Sequence, residues 1–185
     1  MAELIADLFI SLDGFAATVD AGPYFGYSGP ELESWVHDAL DQPQLIVMGR
    51  VTYEALSKIS SSATDEVSTR MNDLPKVVVS NTLQDPLAWP NTRLVRGNLA
   101  EQIGTLKQQS GDPLRSIGSI TLVKNMMKLG LVDRLRVTIF PLILGDAGRE
   151  PVYAGHSQAG LELTSTKVLD SRLVMLEYRP AGLPG

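Results

Sequence analysis

The sequence predicts one three-layer α/β domain: a mixed, mainly parallel central sheet, helices on both faces and an antiparallel C-terminal edge. Three observations carry that expectation. Strand-like and helix-like patterns alternate from Leu4 to Leu129. Runs such as Leu45-Ile-Val-Met48 and Val77-Val-Val79 are short and apolar throughout, as strands covered on both faces are. After Gly130 the helical periodicity stops and long β segments take over.

The elements follow in order. Leu4–Leu12 is rich in β formers and ends at the turn signal Asp13-Gly14. Ala21–Pro30 mixes Gly and Pro with aromatics and reads as a loop. Glu31–Leu40 is helical, with Leu32, Trp35, Val36, Ala39 and Leu40 on one apolar stripe. The Leu45–Met48 strand leads through Gly49 to Arg50 and Thr52 at the start of a helix, placed from about Tyr53. Ser60–Thr64 is a loop, and Asp65–Leu74 a polar helix. Lys76–Ser80, Thr92–Val95 and Leu114–Ile117 read as strands. Leu99–Gln109 and Ile120–Leu129 read as helices, the second stopped by Gly130. Leu131–Leu144 is expected as one long β segment, and Leu161–Leu169 with Arg172–Tyr178 as an antiparallel pair. The domain is placed at residues 1–179, with Pro180–Gly185 as a mobile tail.

Composition narrows the partners. The chain has 185 residues, 44% of them hydrophobic and 20% charged, which describes one soluble globule with a substantial core. A net charge of −5 gives no reason to expect nucleic acid or an anionic membrane as partner. Val137–Leu144 is too short to span a bilayer and contains Pro141. Glu3 and Asp7 occupy the region where a secretory signal needs positive charge, so a cytoplasmic protein is expected. Without cysteine there is no disulfide, thiolate metal site or cysteine nucleophile, and His37 and His156 have no metal-ligand spacing.

In open α/β sheets ligands sit beyond the carboxyl ends of the strands. Four such ends read Gly49-Arg50-Val51-Thr52, Ser80-Asn81-Thr82, Arg96-Gly97-Asn98 and Gly118-Ser119-Ile120-Thr121. They offer hydroxyls, amides and guanidiniums, with no carboxylate before Glu54. Helix N-terminal amides beside such side chains suit an extended anion such as a dinucleotide. Arg50, Ser80 and Arg96 suit a ribose phosphate, which favours NADP over NAD. The competing reading is that these residues are simply what loops and helix caps contain.

Five motifs follow one another in order: Ser11-Leu-Asp-Gly-Phe15, Met48-Gly-Arg-Val-Thr-Tyr-Glu54, Lys76-Val-Val-Val-Ser-Asn-Thr-Leu83, Ile117-Gly-Ser119 and Gly130-Leu-Val-Asp-Arg-Leu135. With Pro141-Leu-Ile-Leu-Gly145 and Gly148, the chain resembles the dihydrofolate-reductase-like superfamily, most closely its riboflavin-biosynthesis reductase branch, the RibD C-terminal domain type. The resemblance implies a homodimeric, NADPH-dependent reductase of a small-molecule substrate. By position it makes Gly49, Arg50 and Thr52 the phosphate turn, Ser80 and Asn81 the adenosine-phosphate contact, and Gly118 and Ser119 the turn beside pyrophosphate and nicotinamide. Ser119 stands where that family usually has a second glycine.

The same resemblance puts Ser11, Asp13 and Gly14 at the start of a loop over the nicotinamide, and Glu33 at the place of the active-site acid. Helix geometry sets Glu33 on the rim of the apolar stripe, where a half-buried carboxyl would pass a proton to a substrate nitrogen. Glu33 is equally one of several first-turn acids that favour the helix dipole. Asp13, Tyr24, Phe25 and Trp35 are the candidate substrate contacts, the aromatics by stacking on a flat ring. Two departures argue against dihydrofolate reductase itself. Pro23-Tyr24-Phe25 replaces that family's proline–tryptophan, and Leu74 falls where its folate-binding arginine would be. A ribosylated aminopyrimidine or a pterin-like ring remains as substrate class. The alternative is a nucleotide-binding module without catalysis.

Overall fold

In the computed structural model, which describes residues 1–19 and 23–182, the chain alternates as expected up to residue 128. The order is β1 (Leu4–Ser11), β2 (Phe15–Thr18), a 3-10 turn at Pro23–Gly26, α1 (Pro30–Asp41), β3 (Leu45–Gly49), α2 (Arg50–Ser60), α3 (Glu66–Asp73) and β4 (Lys76–Val79). Then come β5 (Thr92–Val95), α4 (Leu99–Gln109), β6 (Leu114–Ile117), α5 (Ile120–Lys128), β7 (Arg134–Phe140), β8 (Gly148–Pro151), β9 (Gly160–Leu169) and β10 (Leu173–Ala181). Eight strands form one sheet in the order β5-β4-β3-β6-β1-β7-β10-β9. The six from β5 to β7 run parallel, and β10 lies antiparallel to both β7 and β9.

Strand alternation sends side chains to two cores. Leu4, Ala6, Leu8 and Ile10 of β1, with Val47 and Val77, pack against Ile103 and Leu106 of α4 and Val123 and Met126 of α5. Ile46, Met48 and Val78 point the other way, onto Leu40, Tyr53, Met71 and Trp89 beneath α1, α2 and α3. Lys76 opens β4 but is buried. Its Nζ donates to the Met71, Asn72 and Leu74 carbonyls at 2.6, 3.1 and 2.6 Å, closing the C-terminal end of α3 that has no helical partner.

Several boundaries differ from expectation. α2 begins at Arg50, not Tyr53, because extended Gly49 serves as its N-cap without any side-chain signal. The expected β segment over 131–144 shortens to β7: the Leu131 amide still bonds to the Met126 carbonyl, and Pro141 ends the strand. β2 and β8 were not expected; they pair only with each other. The domain does not stop at residue 179, since Pro180 pairs with Leu161 and Ala181 with Gly160. Proline is tolerated there because β10 has already left β7 at Tyr178. Of the expected tail, residues 183–185 lie outside the described residues, as do residues 20–22, which include the start of the aromatic loop. No helix among the described residues is long and apolar enough to cross a membrane.

Candidate functional site

Two cavities of about 670 Å³ each open at the carboxyl ends of the parallel strands. One is polar and the other aromatic, and they share Thr52, Ser119, Ile120 and Glu150. Their junction is tied by one hydroxyl. Ser119 Oγ accepts from the Gly49 amide at 3.0 Å and donates to Thr52 Oγ1 at 2.8 Å, stapling the turn after β6 to the turn after β3. Gly118 and Ser119 both adopt the left-handed conformation, with φ of 61° and 58°. The hydroxymethyl group that departs from the expected second glycine is therefore spent inside the junction.

Helix N-termini set the character of the polar cavity. A helix leaves its first amides without intrahelical partners. At α1 the Glu31 and Leu32 amides donate to the Asp170 carboxylate at 2.9 and 3.1 Å. Asp65 caps α3 and Asn98 caps α4 through their side chains. α2 and α5 have no side-chain cap, and both open on the polar cavity. Arg50 lines it, its Nη1 donating to both carboxylate oxygens of Glu54 at 2.9 and 3.1 Å. Ser80 and Asn81 line it too. Ser80 Oγ accepts from the Thr82 and Leu83 amides at 3.2 Å, and Asn81 Oδ1 accepts from the Gly97 amide at 2.9 Å. Arg96 does not line the cavity. This expected phosphate contact is instead turned onto the Asp85 carboxylate at 3.1 Å and the Leu83 carbonyl at 2.8 Å. Lys124 was missed. It sits one turn into α5, its Nζ on the Ala154 carbonyl, and lines the cavity as a second cation. Its spacing from Ile120 was the available signal.

The aromatic cavity is walled by Phe9 and by three of the candidate substrate contacts, Tyr24, Phe25 and Trp35. Tyr24 and Phe25 both hold left-handed backbone, with φ of 56° and 53°, a strained pair of the kind found at ligand clamps. Burial raises the Tyr24 phenol above its ordinary pKa of 10.0. Glu33 lines the wall but is exposed, so the half-buried setting expected for it is not found. Asp13 touches neither cavity. It accepts from the Ser11 hydroxyl at 2.7 Å and the Gly145 amide at 2.8 Å, and also from the Leu144 amide. These bonds lower its pKa to about 2. Here Asp13, the expected substrate contact, anchors the turn after β7.

The floor carries charges that sequence reading did not single out. Asp7 on β1 meets the Arg115 guanidinium from β6 and, at 3.1 Å, that of Arg136 from β7. Glu177 on β10 takes Arg136 and Arg134, both at 2.8 Å. Burial pushes the Glu177 pKa up, but the bonds from Arg134 and Arg136 outweigh it and bring the group below its ordinary value. The Trp35 ring has the Arg115 and Arg136 guanidiniums 5.3 and 5.4 Å from its centre.

The sequence profile of the RibD C-terminal domain matches residues 2–175. The chain belongs to the RibD C-terminal domain family. A curated relative, YyaP of Bacillus subtilis (strain 168), described as uncharacterized, is 24% identical over 95% of this chain and 94% of its own. Solved structures agree on the fold. A putative riboflavin biosynthesis protein from Shewanella sp. PV-4 superposes with a TM-score of 0.72 at 22% identity, covering 98% of this chain and 99% of its own. A pyrimidine reductase-like protein from Corynebacterium diphtheriae gives 0.70 at 14% identity, covering 97% and 92%. Acinetobacter baumannii RibD gives 0.68 at 18% identity; the match covers 98% of this chain and 58% of that longer one. This RibD C-terminal domain brings Gly49, Arg50, Thr52, Ser80, Asn81, Gly118 and Ser119 together around the junction and its polar side. It brings Tyr24, Phe25, Glu33 and Trp35 around the aromatic side.

Proposed function

We propose that this RibD C-terminal domain is an NADPH-dependent reductase of a small, flat heterocycle of the aminopyrimidine or pterin type. One observation carries the reading: the two uncapped helix N-termini, α2 and α5, meet Arg50 and Lys124 around a single cavity. Unpaired amides, helix dipoles and two cations form an anion site, and the hydroxyls of Ser80 and Thr52 extend it toward the aromatic side. The residues present therefore fit a dinucleotide phosphate chain. When bound there, NADPH supplies a hydride.

The chain's own groups do the rest. Ser119 and Thr52 hold the junction at which the two cavities meet. Tyr24, Phe25 and Trp35 enclose a flat ring and exclude water from it. Glu33, exposed on the wall, passes a proton from solvent to a substrate nitrogen. The family match and the solved relatives support the reductase class. The exposure of Glu33 favours a second reading, a nucleotide-binding module without turnover. A homodimer and a cytoplasmic setting belong to the proposal. The dimer is supported by the outer strand β9, which exposes Leu161, Leu163 and Val168.

Titration with NADPH and NADH, followed by nicotinamide fluorescence and thermal shift, tests the reading. Micromolar NADPH binding, weakened about tenfold or more in Arg50→Ala and unchanged in Arg96→Ala, is the expected result. Absence of a thermal shift at millimolar NADPH would refute it. NADPH binding without oxidation in the presence of aminopyrimidine or pterin substrates would favour the binding module.

A further inference from the structure

The floor of the aromatic cavity holds a guanidinium whose donors are not all used. Arg115 is 8% exposed. Its Nε donates to Asp7, and its Nη1 to the Ala39 carbonyl at 3.1 Å and to Gln44 Oε1 at 3.5 Å. Nη2 finds no acceptor among the described residues. Unlike Arg70 Nη1, which is sealed off without a partner, it is not sealed off, and Arg115 lines the cavity. A buried donor left unpaired is costly, so one that faces a cavity marks where a ligand acceptor belongs.

Charge decides which acceptor. Asp7 and Glu177 balance Arg115 and Arg136, while Arg134 has Glu3 at 3.4 Å on its outer side. A carboxylate or phosphate brought to Nη2 would add a negative charge beside Asp7 with no cation left to offset it. A neutral carbonyl oxygen adds none. Shape agrees with this. Phe9 stands edge-on to both Tyr24 and Trp35, at 5.3 and 6.2 Å between ring centres, so the space above Arg115 is bounded by ring faces and edges.

We infer that Arg115 Nη2 is a specificity contact that takes a neutral ring carbonyl of a flat heterocycle, and that the balanced floor of Asp7, Glu177, Arg115 and Arg136 rejects anionic rings. Asp7 and Arg136 act here as positioning residues that hold the guanidinium plane. The inference rests on the aromatic cavity being the substrate side of the proposed reductase, and it narrows which rings that side accepts.

Three pteridines of one size test it: lumazine, with two ring carbonyls; 2,4-diaminopteridine, with none; and lumazine-6-carboxylate, with an added anion. Their affinities are measured by calorimetry at neutral pH, with NADPH titrated in parallel. Wild type should bind lumazine about tenfold or more tightly than either of the others, the worth of one hydrogen bond to a charged group. Arg115→Lys keeps the charge but loses the planar fork, and should flatten the series while leaving NADPH affinity unchanged. If that variant does not fold, the wild-type series alone decides. Equal affinities, a preference for the carboxylate, or no pteridine binding overturns the inference. NADPH binding without a lumazine preference would sink it and leave the reductase reading. A lumazine preference without NADPH binding would do the reverse.

Discussion

Removing the Ser119 hydroxyl tests the junction directly, because two replacements separate its two energetic terms. Ser119→Ala deletes the bond accepted from the Gly49 amide at 3.0 Å and the bond donated to Thr52 Oγ1 at 2.8 Å. At roughly 0.5–1.5 kcal/mol net for each bond, the loss is about 1–3 kcal/mol. The lower half of that range is expected, since Ser119 and Thr52 are only half-buried and water replaces part of what is lost. Ser119→Gly deletes the same bonds but relieves a non-glycine residue at φ 58°, which returns about 1 kcal/mol. Glycine should therefore be more stable than alanine by about 1 kcal/mol, although it has lost the same hydroxyl. Urea unfolding followed by tryptophan emission reads both values. If alanine and glycine are equally destabilised, the left-handed strain is not there. If neither is destabilised, the staple carries no stability, and the geometry assigned to the junction is wrong.

Three further outcomes are expected. Lys76→Met leaves the Met71, Asn72 and Leu74 carbonyls without their donor, and should lower stability by about 2 kcal/mol in guanidinium unfolding despite removing a buried charge. Asp13 has its pKa lowered from 3.8 to about 2, so its contribution is present above pH 3.8 and is lost as pH falls toward 2. The gap in acid-unfolding stability between wild type and Asp13→Asn should accordingly narrow over that window. Gly49→Asp gives α2 a side-chain cap at a φ of −87°, where its Cβ meets only Leu122 at 3.8 Å. It should raise the melting temperature slightly, by the few tenths of a kcal/mol that separate Asp from Gly as a cap. NADPH affinity should fall about tenfold or more as a carboxylate enters the anion site; unchanged affinity would place the cofactor phosphates elsewhere.

The elements read most closely from sequence are those whose burial is two-sided. Val77 and Val78 point to opposite cores, and that demand leaves an unbroken apolar run. The β2–β8 ribbon was illegible because each strand is held only by the other. Gly148 is needed there because the Phe15 ring lies within 2.5 Å of where its Cβ would be, a contact across 133 residues that no local pattern announces. The start of α2 was read three residues late for a related reason: Gly49 caps through backbone conformation alone. Strand-end hydroxyls and Arg50 were legible because parallel topology gathers those ends at one rim. Arg115 was not, because its meaning depends on register. Asp7 lies opposite Arg136 across β1 and β7, and Arg136 lies opposite Glu177 across β7 and β10.

The distribution of helix caps and of charge tells one story about where this chain gives up stability. Among the described residues, side chains cap three of the five α-helix N-termini: Asp170 serves α1 from a distant turn, Asp65 serves α3 and Asn98 serves α4. A cap contributes about 1 kcal/mol and takes only one Ser, Thr, Asp or Asn, so leaving a helix bare is rarely a matter of supply. The two bare helices, α2 and α5, are the two whose first turns line the polar cavity. On the aromatic side the reverse economy holds. Two buried charges, Asp7 and Arg115, and two half-buried ones, Arg136 and Glu177, are assembled from four strands, at a desolvation cost that an apolar floor would avoid, and they sum to zero. One side of the junction thus leaves two helix N-termini uncapped beside Arg50 and Lys124, while the other balances its charge and leaves Arg115 Nη2 without an acceptor. An anionic chain meeting a neutral ring at Ser119, the ligand pair proposed above, would make both concessions intelligible.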